Sequence, residues 1–128
     1  MSDSTTVDRK RVEAICRGDD ALAIDLVRML VDEAAPIVAE LGDCVKWHDV
    51  RRVRELAHSL KGIAGNVGAF ELRDAASRLE DTASPDRLPL ARALDAEVVA
   101  IGTALEGVRG TLHSWQLRMA RNSGIFAP

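Results

Sequence analysis

Apolar residues in this chain recur at intervals of three and four along four successive stretches, and the breaks between them fall at glycine, proline and aspartate. A chain patterned this way has to bury one stripe of each stretch, which restricts it to packed helices. Asp19 is a good N-cap for the first long helix, which carries Leu22, Leu26, Met29, Leu30, Ala34, Ile37 and Leu41 on one face. Pro36 lies inside it and is expected to bend it or end it early, and the stretch from Gly42 to Asp49 is expected to be the next break. The second helix carries Val50, Val53, Leu56, Ala57, Leu60, Ile63, Ala64 and Val67. Gly68 separates it from a third, with Ala69, Leu72, Ala75, Ala76, Leu79 and Ala83. After the turn at Ser84, Pro85 and Asp86, the last helix shows Leu88, Ala91, Leu94, Val98, Ile101, Leu105, Val108 and Leu112. Gly102, Gly107 and Gly110 each weaken it by about 1 kcal/mol relative to alanine, so its end is expected to fray.

A shorter amphipathic segment from Val7 to Cys16 is closed by Arg17 and Gly18, and residues from Ser114 onward show little periodicity. The fold expected is all-α: an antiparallel up-down four-helix bundle with a short additional N-terminal helix. One domain spans 1–128, with the bundle over about 19–112, the short helix over about 7–17 and a tail over about 113–128. Hydrophobic residues make up 47% but aromatics only 3%, so the core must come from Leu, Val, Ile and Ala. The formal net charge of -3, with both signs interspersed, lacks the basic excess of a nucleic-acid or membrane-surface binder. Cys16 and Cys44 belong to no CxxC pattern and are expected to be free apolar fillers. No apolar run approaches the roughly 20 residues of a membrane span, and the polar N-terminus is no signal peptide, so a cytoplasmic protein is expected, and its charged outer faces make a monomer the default.

The second helix contains the chemistry. At about 100° per residue, His58 falls about 160° from the centre of the apolar stripe, and Lys61 and Gly62 lie within about 60° of it. Burying the stripe therefore pushes the imidazole into solvent. An imidazole keeps a substantial neutral fraction near pH 7, with a ring nitrogen able to attack an electrophile. For a phosphoryl electrophile, Lys61 at i+3 is placed to neutralise the added charge, and Gly62 at i+4 removes a side chain that would crowd the ring. Arg51, Arg54 and Glu55 one to two turns earlier, and Gly65 later, are candidates for meeting a partner protein. No second acid or base is expected near His58. No His/Cys/Asp/Glu cluster has metal-ligand spacing, and Gly62, Gly65 and Gly68 do not form a phosphate-binding loop.

His58, Leu60, Lys61, Gly62 and the pair Gly68-Ala69 resemble the signature of histidine-containing phosphotransfer (HPt) domains of two-component phosphorelays. Leu72, Ala75, Leu79 and Glu80 resemble that family's next helix, and Asp32 to Pro36 its upstream acidic-alanine-proline run. The resemblance covers roughly Val7 to Val108; Met29-Leu30 stands where many members have phenylalanine. It implies that His58 accepts a phosphoryl group from a receiver-domain aspartate and passes it to a response regulator, without kinase activity of its own. It further implies receiver domains and a hybrid sensor histidine kinase as partners, with no cofactor on this chain and magnesium on the receiver. Two other readings fit the same residues: a receiver-binding module that is never phosphorylated, and the phosphotransfer fragment of a hybrid or chemotaxis-type kinase. The initiating methionine favours a free-standing protein over such a fragment. A purely structural or metal-carrying bundle is the weakest alternative.

Overall fold

A computed structural model describes residues 6–86 and 89–122. Among them are five helices and no strand: α1 (Arg9–Cys16), α2 (Asp20–Lys46), α3 (Val50–Val67), α4 (Phe70–Thr82) and α5 (Ala91–Asn122). Each of the four long helices packs on the next in sequence, and α5 closes back onto α2, which makes the expected four-helix bundle. The helix starts follow local chemistry. Asp8, Asp19 and Asp49 each turn a side-chain oxygen onto a backbone N–H of the first turn, satisfying donors that have no helical partner. Arg17 and Gly18, both at positive φ, end α1 as expected.

The core is aliphatic, with Leu30, Leu41, Leu60, Leu72, Leu79, Leu94 and Ile101 among its fully buried side chains. Cys16 is buried, Cys44 half-buried, and both are free. In α2 the buried face is Ile24, Val27, Leu30, Ala34, Leu41 and Val45, so it is rotated from the stripe read in the sequence. Leu22 and Met29 are exposed instead, and Leu26 is half-buried. The apolar arc of α2 is wider than the face that α3 and α5 cover. Its uncovered shoulder meets Ile63, Asn66 and Val67 of α3 in a shallow groove.

Neither Pro36 nor the Gly42-Asp43 pair ends α2. α2 continues through Pro36, which stands on the exposed side, where water can satisfy the carbonyl that loses its partner. It also continues through Gly42 and Asp43, because Leu41 and Val45, one turn apart, are both buried in the core. The chain turns only at Trp47, His48 and Asp49, with His48 at φ 55°. The last helix does not stop near Leu112 either: α5 runs to Asn122, with Thr111 and Trp115 buried. Gly107 has a packing role there, since a Cβ would lie 2.9 Å from the Thr6 methyl. Thr6 in turn shares a 2.7 Å hydroxyl hydrogen bond with Thr111. Leu88 and the end of the tail lie outside the described residues.

α3 and α4 form the tightest hairpin, and they position the site. Gly68 ends α3 in the left-handed region (φ 82°), where its N–H caps the carbonyls of Ala64 and Gly65. Its own carbonyl accepts from the Asp8 N–H at 2.8 Å. A Cβ here would stand 2.9 Å from Cβ of Arg11, so the glycine also lets α1 lie against this corner.

Candidate functional site

α3 buries Val53, Leu56, Ala57, Leu60, Ala64 and Val67, and this orients everything opposite them. The His58 side chain is 68% exposed, as the helix geometry required. Its surroundings differ from the expectation in one respect. A second ionisable group does stand beside it: Glu80 of α4, whose Oε2 lies 2.8 Å from His58 Nδ1. Glu80 Oε1 receives an ion pair from Lys61 Nζ at 2.6 Å. The carboxylate is only 12% exposed, held between the two helices.

The charge state of Glu80 follows from these contacts. The hydrogen bond from Lys61 holds its carboxyl below the usual glutamate range; burial opposes this, and the contact with His58 adds to the lowering. Near neutral pH it is therefore a carboxylate, which can only accept. In the neutral imidazole Nδ1 then carries the proton and donates it to Glu80, which leaves Nε2 with the lone pair on the far side of the ring. The arrangement selects one nucleophilic nitrogen and directs it to solvent.

The remaining candidates divide. Arg51, Arg54, Glu55 and Ser59 border one open groove with His58 and Glu80. Arg54 donates from Nη1 to the main-chain carbonyl of Glu80 at 3.0 Å, which anchors its guanidinium beside the pair. Glu55 is turned toward Arg52, 3.5 Å away, and Arg52 is also bound to Glu40 at 2.8 Å. Lys61 is engaged with Glu80 and does not stand free. Gly62 is exposed, with nothing within 4 Å of where a Cβ would be, so the space above it is open. Gly65 lies apart from the groove, half-buried beneath Arg73, whose side chain would touch an added Cβ at 3.4 Å. Arg73 itself rests on the Phe70 ring, 4.3 Å from its centroid. His48 and His113 take no part in the site.

Glu80 carried no functional assignment in the sequence, yet a signal was present. His58 and Glu80 lie equally far from Ala69 in the α3–α4 link, and an antiparallel hairpin sets such positions side by side. Among the described residues no group of His, Cys, Asp and Glu could hold a metal ion, and no helix is long and apolar enough to cross a membrane.

Comparison with known proteins agrees with this geometry. No curated protein matches the sequence. The fold is similar to the crystal structure of histidine-containing phosphotransfer protein B (HptB) from Pseudomonas aeruginosa PAO1. The TM-score is 0.75 at 22% identity, covering 88% of this chain and 96% of that one. The Hpt domain family model matches residues 25–110, which include α3, α4 and most of α2 and α5. Proteins of this family act in phosphorelays as histidine phosphocarriers that engage receiver domains. A matched span that contains His58, Lys61, Gly62 and Glu80 in a bundle of this shape places the chain in the Hpt domain family.

Proposed function

We propose that the chain is a phosphorelay intermediate: His58 accepts a phosphoryl group from the aspartyl phosphate of one receiver domain and delivers it to the aspartate of another. The observation that carries this reading is the exposed imidazole whose Nδ1 is held by a largely enclosed carboxylate, leaving Nε2 facing away from it. In the forward step Nε2 attacks phosphorus, the Nε2–P bond forms, the P–O bond to the receiver's aspartate breaks, and that carboxylate leaves. The proton on Nδ1 stays in its hydrogen bond, so Glu80 balances the positive charge that develops on the ring. The reverse step delivers the group to the next aspartate.

Glu80 is thus a positioning residue, and Lys61 acts through it. With the carboxylate's charge offset by Lys61, an incoming phosphoryl dianion does not meet an uncompensated anion. Gly62 leaves room for the receiver. Arg51, Arg54 and Glu55 border the approach on one side. On the other, the shoulder formed by Leu26, Met29, Ile63 and Val67 supplies apolar area for docking. The receiver brings its own aspartate and bound magnesium, which polarises the transferring group. The chain itself has no kinase activity in this reading and works in the cytoplasm as a monomer.

The test is transfer profiling from a panel of phosphorylated receiver domains. Wild-type protein is expected to acquire acid-labile, base-stable label, and His58→Gln none, with helicity unchanged. Label retained in that variant overturns the assignment of His58. Binding of receivers without any label favours the non-phosphorylated module.

A further inference from the structure

The carboxylate clasp raises a question of charge. A phosphoryl group on Nε2 adds negative charge at the surface, yet the nearest lysine is already committed to Glu80 at 2.6 Å. Because Nδ1 faces Glu80, Nε2 points away from the carboxylate and from the lysine bound to it. On the same face of α3, one turn and two turns toward its N-terminus, stand Arg54 and Arg51. Both border the groove that His58 borders. Arg54 is held there by a single hydrogen bond from Nη1 to the Glu80 carbonyl, so most of its five N–H donors remain for another acceptor. Arg51 makes no ion pair among the described residues. Glu55, the remaining acid of the groove, is turned to Arg52.

We infer that Arg54, assisted by Arg51, and not Lys61, is the side chain that directly neutralises the phosphoryl group on His58. The inference rests on His58 being the phosphoryl acceptor. A guanidinium suits the task because its planar fork can give two parallel hydrogen bonds to a phosphoryl oxygen pair. Its tether to the Glu80 main chain also ties its position to that of the carboxylate that orients the ring. One helix face then divides two duties: Lys61 offsets Glu80, and Arg54 offsets the phosphoryl group.

The test loads His58 without any receiver, using phosphoramidate. Nε2 displaces ammonia from phosphorus, the P–N bond of the reagent breaks, and phosphohistidine forms. Phosphorus NMR then follows the second ionisation of the phosphoryl group with pH. Nearby positive charge favours the dianion, so Arg54→Gln is expected to raise that pKa by about 0.5. Arg54→Lys is expected to restore most of the difference, and Arg51→Gln to add a smaller rise. Arg109→Gln on α5, which removes the same charge far from the groove, is expected to leave the value unchanged. A phosphoryl pKa that does not move in Arg54→Gln, or moves no more than in Arg109→Gln, overturns the arginine assignment while leaving His58 as acceptor. Absence of a phosphohistidine signal that depends on His58 overturns both. Circular dichroism of each variant separates loss of charge from loss of fold.

Discussion

At the scale of single residues, the site is one ring oriented by one carboxylate. Replacing Glu80 by glutamine removes the acceptor-only group that requires a proton on Nδ1. The expected outcome is a mixture of the two neutral tautomers, read by nitrogen NMR of the imidazole, and transfer from phosphorylated receivers slowed about 10-fold. Unchanged tautomer populations would remove the positioning role. The same carboxylate links stability to pH. Its pKa is lowered by folding, so its contribution is full above the unfolded glutamate value of 4.5 and is lost as pH falls through the lower folded value. Wild type is therefore expected to exceed Glu80→Gln in stability by about 1 kcal/mol at pH 7, with the gap closing below about pH 4. Denaturant titrations at both pH values check this. His58, Lys61 and Gly62 were legible in the sequence because helical spacing alone sets their common face. Glu80 was not assigned because its role depends on a hairpin register that no local pattern states.

At the scale of elements, the glycines of one hairpin separate folding from function. Gly68 adopts φ 82° with Arg11 Cβ 2.9 Å from where its own Cβ would be, so Gly68→Ala is expected to cost about 1–3 kcal/mol and lower the thermal midpoint by several degrees. Gly62 sits mid-helix in open space. Gly62→Ala is expected to stabilise the fold by up to about 1 kcal/mol, leave phosphoramidate labelling intact, and slow transfer from receivers. A variant that transfers at the wild-type rate would show that the space over Gly62 is not used by the partner. The boundaries of α3 were readable because Asp49 caps its start and left-handed Gly68 its end. α4, which has no side-chain cap, is bounded by that glycine and by the Ser84-Pro85-Asp86 turn. The start of α2 at the Asp19 cap was readable too, but its end was not, since buried Leu41 and Val45 outweigh the local cost of Gly42.

At the scale of the whole molecule, the bundle is closed at one end by α1 and the late turns of α5. Leu112, Trp115 and Met119 do continue the spacing of three and four, but His113, Ser114, Gln116 and Arg118 dilute that signal enough to hide it. Trp115 is buried there with Arg9 over its ring at 5.8 Å. Trp115→Ala is expected to cost about 3–5 kcal/mol. Trp115→Phe is expected to cost much less, because it also removes an indole N–H that is buried without an acceptor. Thermal unfolding of the two variants decides whether this end belongs to the cooperative core. The opposite condition holds at the histidine, which no lid covers among the described residues. In the proposed relay, the exposure that lets a receiver reach Nε2 also admits water to the loaded bond. An undelivered phosphoryl group then hydrolyses on the carrier, and the relay forgets any signal that is not handed on in time.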